Sequence, residues 1–367
     1  MEKLDNLTGV RAFAALWVVV FHFRLGDGMS AIGGPILDSG YIGVDVFFVL
    51  SGFILSHAYC KNLPLNFSLS WYREFIVKRF AKIYPLHLVM FLTILSVVVG
   101  ARYMGYAFQN TLENTVWSAI ANLLLMHAWG VTSSLSWNVP SWSISAEWFA
   151  YFLVFPLAAF CLRKMSLSRL SFLCGVLWSA YFYGAMHWND QSLNVTTAGV
   201  ARIIPEFLIG YTAYQALQRE KFAAVSGDFL SISGIALLLF SIVMGGAFLI
   251  LVAPAIGIAM TGLYIGGSVS NVVFGNRMVV SIGTVSYSIY MTHFFIVMGA
   301  NQFIRRVHFL NVEKHAAAFL LFEVVIAVAI GLVTHRFVEE PLRLRVLAIA
   351  KRRRAGTSAI AGATTGA

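Results

Sequence analysis

The chain of 367 residues is 59% hydrophobic and only 11% charged, whereas ordinary soluble domains carry about 25% charged residues, so a water-soluble globular fold is excluded. A formal charge of +10 does not make it a nucleic-acid binder, because the basic residues sit in short loops between apolar runs rather than on a polar domain. The three cysteines, Cys60, Cys161 and Cys174, lack metal-ligand spacing and read as unpaired and structural, and no metal is expected.

Eleven apolar runs follow in chain order, near residues 9–24, 40–58, 83–101, 116–130, 145–162, 168–187, 200–217, 229–244, 247–266, 280–300 and 317–337. The first ends in FHFRLGD, without the small-residue pattern of a cleaved leader, and reads as a retained span. Lys61, Arg73, Lys78, Arg79 and Lys82 follow the second run, and Arg163, Lys164 and Arg169 follow the fifth, so both loops read as cytoplasmic. Parity forbids three crossings between them. The shortest intervening run, 116–130, lies in Trp-rich polar surroundings and is expected to be re-entrant or interfacial.

The expectation is therefore an all-α polytopic integral membrane protein with about ten transmembrane helices plus one re-entrant or interfacial helix. Both termini are placed in the cytoplasm of a multi-pass cell (inner) membrane protein. The basic KRRR at 351–354 agrees with this, while Arg305 and Arg306, on an outer loop, oppose it. Residues 1–345 read as one transmembrane domain and 346–367 as a basic tail, disordered beyond Arg354.

Within the first run, Arg11 and His22 are eleven positions apart, which turns a helix by three circles plus roughly 20° and raises it by about 16 Å. They share one face at opposite depths, with Ala15 and Val18 between them leaving room for a narrow ligand. Ionisable residues in a span need a partner, a cavity or a substrate. By run position, Asp45, Glu147 and His293 fall at depths compatible with His22, in the outer half. Arg79 and Lys82 fall on the inner side with Arg11. An inner basic cluster and an outer His/carboxylate cluster would suit an anionic ligand whose reactive end reaches outward.

Imidazole can take a proton from a hydroxyl at neutral pH, and a carboxylate, here Asp45 or Glu147, could orient the ring. Arg and Lys are natural phosphate partners. Each residue also has a plainer reading. Arg11 could be a snorkelling anchor, His22 an interhelical hydrogen bond, and Arg79 and Lys82 ordinary members of a basic loop. Trp117, Trp129, Trp137 and Trp142 could stack on sugars or form an interfacial belt. Glu206 and Glu323, also inside spans, suggest only interhelical pairing.

The segments LTGVRAFAALWVVVFH, GYIGVDVFFVLSGFILS, RFAKIYPLHL, PSWSISAEWFAYFLVFP, VSYSIYMTHFF and VEEPLR resemble, in order, the motifs of the acyltransferase family 3 membrane proteins, from residue 4 to about 343. The resemblance implies transfer of an acetyl or other acyl group from cytoplasmic acyl-CoA to hydroxyls of a cell-surface or exported carbohydrate or glycolipid. Acyl-CoA, acetyl-CoA above all, would be the co-substrate, with the carbohydrate or glycolipid acceptor and the lipid bilayer as further partners and no nucleic acid. By the same resemblance Arg11 and His22 match the family's arginine and histidine, and Arg79 and Lys82 its basic pair, where lysine keeps the charge but loses the bidentate fork. Catalysis is then expected from His22 with Asp45 or Glu147, donor binding from Arg79, Lys82 and Arg11, and acceptor binding from Trp142, Ser143 and His293. The rival reading is a glycolipid or polysaccharide transporter or flippase, whose paired repeats of broken helices are not found in the sequence.

Overall fold

The computed structural model describes residues 2–26, 33–105, 114–188, 196–219, 225–306 and 315–364. Among them there is no strand, and helices account for nearly every ordered stretch. That is the expected solution for a chain this apolar, because a lipid-embedded backbone must satisfy its own hydrogen bonds.

The helices are α1 (Glu2–Gly26), a single turn α2 (Pro35–Asp38), α3 (Gly43–Tyr59), α4 (Leu69–Tyr103), α5 (Val116–Leu123), α6 (Trp142–Phe149), the short α7 (Phe155–Leu157), α8 (Leu167–Trp188), α9 (Gly199–Arg219), α10 (Gly227–Met244), α11 (Val252–Ile265), α12 (Ser268–Val273), α13 (Arg277–Thr284), α14 (Ser286–Arg306), α15 (Ala316–Thr334) and α16 (Glu340–Thr364). Seven helical segments among the described residues are long and apolar enough to cross a membrane, or eight if α13 and α14, bent by 66°, count as one. The protein is a multi-pass helical membrane protein, but the expected ten crossings are not reached on composition. Helices α8 and α9, at 22 and 21 residues, have the length and fall short on apolarity. In α9 the reason is plain, since Arg202 and Glu206 sit on consecutive turns.

The run expected not to cross contains α5, eight residues long and so about 12 Å, too short for a bilayer. The chain after it folds into the bundle: His127, Asn138 and Ser141 are all buried, and Leu125 and Trp137 adopt left-handed φ values of 55° and 56°. Helix α6 consequently begins deep in the protein. It continues through π-helical turns at Ala150–Val154 and Ala158–Leu162, and a third π turn, His335–Glu339, joins α15 to α16. Helix α16 carries the chain as far as Thr364.

Two glycines set the central packing. A Cβ on Gly52 would lie 2.0 Å from the Phe207 carbonyl oxygen, and one on Gly210 1.9 Å from that of Val49. Backbone contact of this kind between α3 and α9 is how small residues replace hydrophobic drive in a membrane. It also carries Asp45 of α3 to Arg202 of α9.

Candidate active site

Helix α14 runs parallel to α1 and contacts it at both ends of the Arg11 to His22 face. At the first end the Arg11 Nε donates to Ser286 Oγ at 3.2 Å. At the other, His22 Nδ1 lies 2.9 Å from the Val18 carbonyl oxygen and 3.4 Å from His293 Nε2, with the ring centroids 5.0 Å apart. His293, fully buried, has its Nδ1 2.6 Å from the Tyr290 carbonyl oxygen. A carbonyl can only accept, so these contacts assign the protons: His293 carries its hydrogen on Nδ1 and presents a lone pair at Nε2, and His22 carries its hydrogen on Nδ1. His22 Nε2 makes no hydrogen bond among the described residues and is left with a free lone pair.

The face between Arg11 and His22 is not the open groove that the sequence suggested. Ala15 and Val18 are fully buried, and Gly43 of α3 sits so close that a Cβ there would be 2.7 Å from Val18 Cγ2. The empty space lies to one side. A cavity of about 120 Å3 opens between α1, α3, α4, α6 and α14, with Arg11, Arg79 and Lys82 at one end and Ser143 and Tyr290 at the other. The Tyr290 ring is 5.7 Å from that of His293, so this tyrosine stands between the cavity and the histidine pair. Ser143 Oγ donates to the Tyr290 hydroxyl at 2.8 Å, and that hydroxyl donates to the Pro140 carbonyl oxygen at 3.0 Å.

The three cations are not equivalent. Lys82 Nζ is 2.6 Å from Glu339, whose other oxygen accepts from Ser288 and lies 3.0 Å from His335 Nδ1. Its charge is already matched. Arg11 and Arg79 have no carboxylate partner among the described residues. Arg79 reaches only the Tyr59 hydroxyl, at 3.3 Å, stacks over the Tyr59 and Tyr151 rings at 5.6 and 5.8 Å, and keeps a buried Nε with no acceptor. Guanidinium groups left this way inside a protein are costly, and an anionic ligand is the usual compensation.

Glu147 is not beside His22. It accepts hydrogen bonds from Ser51 of α3 and from Tyr151 in the first π turn, and faces the cavity near Arg79. The sequence reading placed it in the outer half because it comes early in its apolar run, but α6 starts deep, so Glu147 falls with the basic residues. Asp45 is likewise committed elsewhere. Its two oxygens accept from Arg202 Nε and Nη2 at 3.0 and 2.6 Å, with Glu206 at 3.7 Å, and all three side chains are fully buried. Neither carboxylate is the partner of His22; His293 is. Trp142 does not offer its ring to a sugar either, being 4% exposed with the Arg202 guanidinium stacked 5.3 Å from its ring. Ser143 does line the cavity, and His293 is one residue behind its wall.

Two residues escaped the sequence reading. Arg202 was legible in principle, as a charge within the 200–217 run. Glu339 was quoted within a motif, but only the fold brings it across the bundle to Lys82.

A family profile for an acyltransferase domain matches residues 4–335. The chain belongs to this acyltransferase family. Among relatives, it is 38% identical over 177 residues to the acyltransferase MdmB of Streptomyces mycarofaciens, covering 46% of this chain and 42% of that one. It is 28% identical over 170 residues to the peptidoglycan O-acetyltransferase OatA of Listeria monocytogenes, covering 42% of this chain and 25% of that one. The chain thus spans less than half the length of either relative in these matches. No solved structure matches it. Membership of the acyltransferase family, together with the apolar helices, makes the chain a multi-pass membrane member of that family.

Proposed function

We propose that this acyltransferase moves an acyl group, acetyl in the first instance, from cytoplasmic acyl-CoA to a hydroxyl of a cell-surface or exported carbohydrate or glycolipid. The observation that carries the reading is a pair of arginines, Arg11 and Arg79, without carboxylate partners among the described residues, at one end of a cavity whose other end stops at Tyr290, beside His293 and, beyond it, His22. Phosphates of the donor bind Arg11 and Arg79, bidentate where the fork allows, with Lys82 a weaker contributor because Glu339 already neutralises it. The pantetheine arm lies past Glu147 and Ser51 toward Tyr290, and displacement of the Tyr290 ring brings the thioester to the histidine pair.

There the acceptor hydroxyl gives its proton to His22 Nε2 as its oxygen attacks the thioester carbonyl. The C–S bond breaks, and the departing thiolate takes the same proton back from His22. The hydrogen on His22 Nδ1 stays donated to the Val18 carbonyl oxygen and His293 Nε2 throughout. Inward-facing cations suit a donor arriving from the cytoplasm, with both termini on that side of a cell (inner) membrane.

The test is transfer of radiolabelled acetyl from acetyl-CoA into the carbohydrate and lipid fractions of membranes carrying His22→Ala. Loss of about 100- to 10,000-fold in rate is expected for removal of a general base, and undiminished transfer overturns the assignment. Mass spectrometry of surface glycans from cells with and without the chain then identifies the acceptor through a mass difference of one acyl group. A carrier that only moves glycolipid would bind it with no need for a thioester, and His22→Ala would leave that binding intact.

A further inference from the structure

We infer that His293 is the positioning residue of the His22 base: its Nε2 lone pair accepts the His22 Nδ1 hydrogen, holding His22 in the tautomer that aims a free Nε2 at the acceptor hydroxyl. The inference rests on the proposed role of His22. In histidine-based acyl transfer this second position is commonly filled by a carboxylate, which fixes the tautomer and stabilises the imidazolium. Both carboxylates the sequence offered are used elsewhere, Asp45 on Arg202 and Glu147 on Ser51 and Tyr151. The group that does face His22 is a second imidazole, 3.4 Å away and fully buried.

Its own orientation leaves little freedom. His293 Nδ1 is 2.6 Å from the Tyr290 carbonyl oxygen, so that nitrogen must carry the hydrogen and the nitrogen facing His22 must be the acceptor. The contact is shared with the Val18 carbonyl at 2.9 Å, so His22 Nδ1–H is held by two acceptors at once. When Nε2 takes the hydroxyl proton, the positive charge spreads over the ring and strengthens both hydrogen bonds. A neutral imidazole stabilises that charge less than a carboxylate does. It can be kept in the apolar interior without a counter-ion, which a carboxylate cannot.

The same tyrosine backbone links this pair to the cavity, because Tyr290, whose carbonyl holds His293, is also the side chain standing between cavity and histidines. A shift of α14 that moves the Tyr290 ring therefore moves the acceptor of the His293 Nδ1 hydrogen too.

Three substitutions at 293 separate positioning from mere packing. His293→Phe keeps a ring and removes the acceptor. His293→Gln places an amide oxygen near the position of Nε2, while His293→Asn is one methylene too short to reach His22. Each is compared with His22→Ala for radiolabelled acetyl transfer from acetyl-CoA. Loss of one hydrogen bond to a group that becomes charged predicts kcat lower by about 10- to 100-fold in Phe and Asn, with the KM for acetyl-CoA unchanged, and recovery to near the parent rate in Gln. The unchanged KM shows that the protein is folded; should Phe fail to fold, Asn against Gln carries the same contrast. If His22→Ala abolishes transfer while Phe and Asn equal the parent, or while Gln is as slow as they are, the inference about His293 is overturned and the role of His22 stands. If His22→Ala leaves transfer intact, the base assignment itself falls, and the inference with it.

Discussion

Two groups of charges lie buried in this bundle a few helical turns apart, and they are built on opposite terms. Around Arg202 the guanidinium is enclosed by Asp45, Glu206, Trp142 and the Tyr41 carbonyl, and nothing in the cluster is exposed. Around Arg11 and Arg79 the guanidinium groups meet only hydroxyls and rings, beside a cavity. In the first cluster Arg202 is paired directly with Asp45 and lies 3.7 Å from Glu206, and none of the three lines the cavity. The second leaves cations uncompensated where a ligand has room to enter. In a span, then, an ionisable residue marks a site only when its partner is missing.

Breaking the closed cluster should have the largest effect on stability. Arg202→Met leaves two carboxylates buried without a cation and is expected to lower stability by about 3–5 kcal/mol, read from thermal unfolding in detergent. The triple variant Asp45→Asn, Arg202→Met, Glu206→Gln, which removes all the charges, should recover most of that loss. A stable Arg202→Met single variant would show that the cluster is not self-compensating after all. The open cluster should behave the other way round. Arg79→Leu is expected to raise the KM for acetyl-CoA by about 10- to 100-fold, the worth of a charged hydrogen bond, with no drop in unfolding temperature.

Lys82 sits between the two cases, since it lines the cavity yet is paired. Lys82→Met strands Glu339, whose side chain is 1% exposed, but the lysine itself is 31% exposed and screened by solvent, so about 1–2 kcal/mol of stability should be lost. Its effect on the KM for acetyl-CoA should be smaller than that of Arg79→Leu; an equal effect would place Lys82 among the unpaired cations. The smallest change is expected from Trp142→Phe. Loss of a better cation–π partner should cost about 1 kcal/mol or less, and a rise in KM for the carbohydrate acceptor would return Trp142 to the acceptor site.

Much of this was readable along the chain because burial in lipid makes charge conspicuous. Arg11 and His22 stand out in the first span, and helical spacing alone puts them on one face. Arg79 and Lys82 were visible as part of a basic stretch, yet nothing in that stretch says that one is paired and the other is not. Depth was less reliable. Counting from the start of an apolar run placed Glu147 beside His22, whereas the buried segment through His127 and Ser141 lowers the start of α6.

The sequence by itself determined a helical membrane protein, the short non-crossing segment at α5, and the residues costly enough to need a reason. These depend on composition and on helix periodicity, which are properties of single segments. Only the tertiary structure decided who partners whom: Asp45 with Arg202, Lys82 with Glu339, Glu147 with Ser51, and His22 with His293. Each pair joins segments distant along the chain, and its energy depends on contact at about 3 Å, a distance set by helix packing such as the approach of Gly52 and Gly210.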